Sequence, residues 1–128
     1  MPDPSGNIAH AEAYARKWLG KSPLITPSLF CHAPYTCGDA TLKAAKAAAD
    51  DLGLLFQIHV AETRSERDRS LAQHGLSPVA RLERLGLLDP HSLLAHCVWV
   101  DDADIALLAA SGCAVTHCPE SNMKLASG

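Results

Sequence analysis

Apolar residues along this chain fall into two alternating patterns, and their succession predicts the order α-β-α-β-α-β-α-β. Ile8, Ala11, Tyr14, Ala15, Trp18 and Leu19 recur at helical spacing, with Asn7 as a candidate cap and Gly20 as a stop. Leu24 to Phe30, broken by Pro23 and Pro27, suits an approach loop and a short marginal strand running into Cys31-His32-Ala33-Pro34-Tyr35-Thr36. Asp39 is placed to cap an alanine- and lysine-rich helix over Ala40 to Leu52 that Gly53 ends. Leu54, Leu55, Phe56, Ile58 and Val60 then form a run apolar on both faces, the pattern of a strand in a helix-covered parallel sheet.

Beyond that strand, Arg64 to Arg69 is a charged run expected to form the wet opening turns of a helix reaching His74. Gly75 and Pro78 interrupt the crossover, and Val79, Leu82, Leu85 and Leu88 mark a second helix ending near Gly86. A strand from Leu93 to Val98 is expected next, then a helix from Asp101 to Ser111 opened by acids that suit its positive end. Gly112 stops it, a strand over Cys113 to His117 follows, and Cys118 to Gly128 is expected as a loop.

Right-handed crossovers make four parallel neighbouring strands the natural arrangement, either an open doubly wound sheet or part of a (β/α)8 TIM barrel. Histidines close all four strands, His32, His59, His96 and His117. Barrel enzymes gather groups from several strand ends about one axis, which favours the barrel. No glycine-rich phosphate loop follows any strand, which weakens a dinucleotide-binding reading.

Composition narrows the classes. At 128 residues and 48% hydrophobic, residues 1–128 suffice for one core and no separate second domain. A net charge of −3 with acids and bases interspersed argues against nucleic-acid or membrane partners and leaves a small-molecule substrate or protein contact. No apolar run approaches the roughly 18 residues of a membrane span, and MPDPSGNIAH lacks the regions of a signal peptide, so a cytoplasmic location is expected. Cys31, Cys37, Cys97, Cys113 and Cys118 are odd in number and lack CxxC spacing, which fits reduced core thiols.

The chemistry concentrates where the central strand runs out. His59 can offer a neutral imidazole to a metal, and Glu62, about one turn on, could move a proton to and from an activated water. Alone, Glu62 would more simply satisfy backbone N–H groups at a helix start, and a single buried histidine would be a hydrogen-bonded core residue. Four histidines at equivalent positions change those odds, whereas His10, His74 and His91 sit on helices or turns and are expected to face solvent.

Four blocks carry a resemblance: Phe30-Cys-His-Ala-Pro-Tyr-Thr-Cys37, Ile58-His-Val-Ala-Glu-Thr63, Leu94-Ala-His-Cys-Val-Trp99, and Thr116-His-Cys-Pro-Glu-Ser-Asn-Met-Lys-Leu-Ala-Ser-Gly128. In this order they resemble the amidohydrolase superfamily, in particular the chlorohydrolase-like aminohydrolases that include methylthioadenosine/S-adenosylhomocysteine deaminases. The resemblance implies a metal-dependent TIM barrel of which this chain would be strands four to seven. It implies His59 as metal ligand, Glu62 as proton shuttle that also touches substrate, His96 as the histidine beside the reacting centre, and His32 as a substrate contact. The segment from His117 through Pro119, Ser121 and Asn122 would wall the pocket, with no individual roles assigned. The implied cofactor is one divalent metal, zinc foremost and iron as the alternative. The implied reaction is hydrolysis of an exocyclic amine, or a similar leaving group, on a purine-like heteroaromatic ring.

Two features of that family are missing from these residues: an HxH pair supplying two ligands, and a later aspartate acting as ligand and base. The expectation is therefore a central fragment of a longer hydrolase, inactive or nearly so by itself. Its open edges and exposed apolar face would drive self-association into a homo-oligomer. A non-catalytic α/β domain with structural histidines or an adventitious metal site is the competing reading. An open doubly wound interaction module, whose strand order would reverse, is a third.

Overall fold

The structure is a computed structural model and describes residues 6–127. The sequence also predicts a turn-rich lead from Pro2 to Gly6, which lies almost wholly outside the described residues. Helix α1 spans Asn7–Trp18, strand β1 Ser28–Cys31, α2 Asp39–Asp51 and β2 Leu55–Val60. The crossover is two-part as expected, α3 (Arg64–His74) and α4 (Pro78–Arg84), followed by β3 (Ser92–His96), α5 (Asp102–Ser111), β4 (Ala114–Thr116) and α6 (Pro119–Leu125). The last of these corrects the expected C-terminal loop: Pro119 stands in the first turn, where its missing N–H costs nothing, and a short helix follows.

Two helix starts also differ from expectation. Asn7 and Asp39 are the first helical residues rather than caps, which are Gly6 and Gly38, and neither cap makes a side-chain hydrogen bond. Asp39 is instead recruited by Arg81, whose Nη2 donates to its carboxylate while Nη1 donates to the Pro34 carbonyl at 2.8 Å. That pairing holds the Asp39 carboxyl below the usual aspartate range, the hydrogen bond from Arg81 being the largest cause. By contrast Asp101 caps α5 as a full capping box with Asp104.

All four strands are parallel in the order β1-β2-β3-β4. There is no reversal, so the doubly wound alternative falls away. The expectation that β2 is apolar and buried on both faces is corrected by its alternation. Phe56, Ile58 and Val60 are buried beneath the helices with Leu42, Ala45, Ala49, Val79 and Leu82, whereas Leu55 is 40% exposed and Gln57 and His59 are half-buried. Register sets Phe30 beside Gln57, and His59 beside Ala95, on the uncovered face. One face of the sheet is therefore a finished core, and the other is open.

Polar straps fasten the helices behind the strand ends. Lys46, buried in α2, donates to both Asp50 and Asp89. Burial opposes its charge, yet the two carboxylates together raise its pKa. Arg67 on α3 is bound by Asp101 and Asp104, and Asp104 also accepts from Ser77, the cap of α4. All five cysteines are free thiols, and burial pushes both Cys31 and Cys97 up to about 12. Among the described residues no helix is long and apolar enough to cross a membrane.

Candidate active site

His59 leaves β2 on the open face by simple strand alternation. Its Nδ1 lies 2.7 Å from the His32 carbonyl oxygen, which also accepts from the His59 backbone N–H at 3.2 Å. A carbonyl only accepts, so Nδ1 carries the proton and the Nε2 lone pair is left free. The His59 ring meets Phe30 edge-on at 4.8 Å between centroids, with His32 at 5.4 Å and His96 at 5.3 Å. Exposed His32 is steered in turn by Thr36, its Nδ1 lying 2.9 Å from the Thr36 hydroxyl.

His96 reaches this rim differently. By alternation it belongs with Leu94 on the helix-covered face, but the backbone turns left-handed at His96 (φ 80°) and Cys97 (φ 49°), as it does at Ala61 (φ 51°) beside it. Such conformations cost on the order of 1–3 kcal/mol each in a non-glycine residue and persist only when held by their surroundings. Here the holding contacts are backbone bonds across the two strand ends: Cys97 N–H to Val60 O at 2.9 Å, and Val98 and Trp99 N–H to Ala61 O at 3.1 and 2.9 Å.

The residue that secures this turn is one that sequence reading missed. Glu66, only 4% exposed, accepts from the Ala61 N–H on one carboxylate oxygen and the Glu62 N–H on the other, both at 2.9 Å. Burial raises its pKa, outweighing the two amide bonds that lower it. Glu66 sits in the charged run expected to be wet. The signal that could have found it was Thr63-x-x-Glu66, since Thr63 caps α3 by accepting from the Glu66 N–H at 3.2 Å. The backbone-satisfying task that Glu62 alone would have taken thus falls to Glu66, which leaves the Glu62 carboxylate free.

Glu62 faces His96, with Oε1 3.7 Å from Nε2, outside hydrogen-bond reach. On the far side of the buried His96 ring, Nδ1 lies 3.2 Å from Asn122 Oδ1. His117 follows β4, is exposed, and lines an opening of about 370 Å³ with Val98, Pro119, Asn122 and Met123. No ring pair joins it to the other three histidines among the described residues, so three of the four strand-end imidazoles converge in direct ring contact. His10 and His91 are exposed as expected, and His74 is half-buried.

The arrangement can hold a neutral imidazole lone pair, a second imidazole and a mobile carboxylate at one rim. For a divalent metal, the fixed tautomer of His59 is the form a ligand needs, its Nδ1–H oriented by a carbonyl as in many metal sites. The donor set stops short of a full site: among the described residues no three His, Cys, Asp or Glu side chains are grouped to hold an ion. The residues fit a share of a metal site, with His59 as the donor.

Comparison with known proteins places the chain in a family. The amidohydrolase family profile matches residues 3–128. The chain is 44% identical over 125 residues to a 5-methylthioadenosine/S-adenosylhomocysteine deaminase of Aquifex aeolicus (strain VF5), covering 98% of this chain and 29% of that protein. It is 49% identical over 113 residues to a 5'-deoxyadenosine deaminase of Methanopyrus kandleri, covering 88% of this chain and 26% of that protein. A zinc-bound crystal structure of an adenosine deaminase from Xanthomonas campestris superimposes with a TM-score of 0.90 at 40% identity, over 97% of this chain and 28% of that one. A guanine deaminase of C. acetobutylicum shares the fold at 22% identity, with a TM-score of 0.88 over 97% of this chain and 30% of that one. The chain spans less than a third of the length of these relatives, and its four parallel strands with their helices match a portion of their TIM barrel. By sequence over nearly its whole length and by fold, the chain belongs to the amidohydrolase family.

Proposed function

We propose that residues 1–128 act as a central segment, strands four to seven, of a cytoplasmic metal-dependent aminohydrolase that replaces an exocyclic amine on a purine-like ring by water. The observation that carries this reading is the convergence of His32, His59 and His96 at one rim with the free carboxylate of Glu62. The names of the adenosine-type deaminases to which the chain is 44–49% identical support the substrate class. His59 is the segment's metal ligand, presenting Nε2. A divalent metal, zinc foremost with iron as the alternative, polarises the attacking water when bound. Glu62 takes one proton from the attacking water and delivers it to the ring nitrogen; the remaining proton of the added hydroxyl passes to the exocyclic amine, which departs as ammonia and leaves the oxygen on carbon as a carbonyl. His96 steadies the reacting centre, and exposed His32 contacts the substrate.

In this reading the segment alone is inactive, because ligands and pocket walls come from other strands. Ammonia release from an aminopurine nucleoside with zinc is expected to be absent for the 128-residue chain. It is expected to appear when the chain is joined to the strands carrying the HxH pair and the later aspartate. Turnover by the isolated chain, or none from the complete barrel on any aminopurine tested, overturns the proposal.

The open face bears on partners. Phe30 is 51% exposed and Leu55 40%, and both sheet edges lack a neighbouring strand among the described residues. The isolated segment is proposed to bury this face against a second copy, and to have neither nucleic-acid nor membrane partners. Sedimentation equilibrium is expected to give a dimer or larger species. A monomer that unfolds in one cooperative transition refutes this.

A further inference from the structure

We propose that Asn122 is a positioning residue that fixes the tautomer of His96, holding the proton on Nδ1 and turning the Nε2 lone pair toward Glu62. The inference rests on the proposed role of His96 but concerns a residue whose part in the site was open.

Asn122 is brought to His96 by tertiary structure alone. It lies on α6, beyond β4, with its backbone N–H bonded to Cys118 O at 3.0 Å and its carbonyl accepting from Ser127 N–H at 2.9 Å, so both ends of the short helix are tied down. Its side chain is 6% exposed, as is that of His96. Asn122 Oδ1 stands 3.2 Å from His96 Nδ1, while Asn122 Nδ2 is buried with no hydrogen-bond partner among the described residues.

Two arrangements satisfy that contact, and the other ring nitrogen distinguishes them. If the amide were turned to donate to Nδ1, the His96 proton would sit on Nε2 and require an acceptor there. The nearest carboxylate oxygen, Glu62 Oε1, is 3.7 Å away, outside hydrogen-bond reach. With Oδ1 accepting from Nδ1–H, Nε2 needs no acceptor and presents a lone pair at the rim. The ring then suits receiving a hydrogen bond from the attacking water or from a protonated Glu62. An amide in this place fixes the ring without adding charge, as an aspartate would. That arrangement leaves the buried Nδ2 of Asn122, a residue lining the opening with Val98, His117, Pro119 and Met123, without a partner among the described residues.

Long-range 1H–15N NMR of the metal-free 15N-labelled chain, near pH 8 where an ordinary imidazole is neutral, reads the tautomer directly. The His96 signals are assigned by their loss in His96→Gln. The wild-type chain is expected to show Nδ1 protonated and Nε2 bare. Asn122→Asp, which keeps an acceptor, should preserve that pattern, and Asn122→Leu, which has none, should reverse it toward Nε2–H. A wild-type His96 protonated on Nε2 overturns the inference without recourse to any variant, as does a folded Asn122→Leu chain that keeps Nδ1–H. Because the readout is not turnover, an Nδ1–H His96 in a barrel that fails to deaminate would sink the functional proposal alone. A deaminating barrel with Nε2–H would sink this inference alone.

Discussion

Replacing Glu62 by glutamine in a complete barrel containing this segment is expected to lower kcat by about 10²–10⁴-fold, the usual worth of a positioned proton-transfer group. The change is nearly isosteric and removes the ability to carry a proton. Stability should scarcely move, within about 0.5 kcal/mol, because no hydrogen bond holds the Glu62 carboxylate among the described residues. The backbone turn beneath it is secured by Glu66, which the substitution leaves untouched. Steady-state kinetics and a thermal melt on the same preparation check both halves. A kcat within threefold of wild type, with the melt unchanged, would remove Glu62 from the chemistry.

Asp104→Ala is expected to destabilise the fold by about 3–5 kcal/mol, the cost of orphaning a buried ion pair. Asp104 is 2% exposed and joins three helices. One oxygen accepts from Arg67 on α3 at 2.7 Å and from the Asp101 N–H at 3.3 Å, and the other accepts from the Ser77 hydroxyl that caps α4. Alanine leaves the Arg67 guanidinium, which is 19% exposed, with Asp101 and the Trp99 carbonyl and leaves Ser77 without its acceptor. The comparison is Asp101→Ala, where the carboxylate is 52% exposed and solvent already screens the pair. There the loss should be clearly smaller, and mostly that of the cap. Urea midpoints for both variants separate the cases, and equal losses would show that burial of Asp104 counts for nothing.

Glu66 and Asp104 show why polar residues inside charged sequences are hard to read. Arg64 to Arg69 contains six polar residues in succession, and helical spacing assigns none of them inward. Tertiary contacts then bury Glu66 under Ala61 and Glu62 and draw Arg67 to Asp101 and Asp104. Arg67 goes inside because specific acceptors wait there, and sequence-local rules carry no information about partners more than thirty positions away, whereas Glu66 answers amides only four and five positions back. Leu55 errs the other way. It has the composition of a core residue, but the described residues leave it 40% exposed on the open face.

The amino-acid sequence alone was enough for the order of elements as far as β4, the parallel sheet and the placing of His32 and His59 at strand ends, but not for α6. These follow from periodicities of 3.6 and 2 and from glycines that end helices, all properties of neighbours along the chain. It also carried the family likeness through four short blocks. Folding alone swings His96 to the rim through a left-handed turn and lets Glu66 free Glu62 by taking over the backbone amides. It alone brought Asn122 from the last helix to stand behind His96. The physical reason is that a side chain's direction at a strand end depends on backbone torsions set by contacts across strands, and those contacts exist only once the strands have been laid side by side.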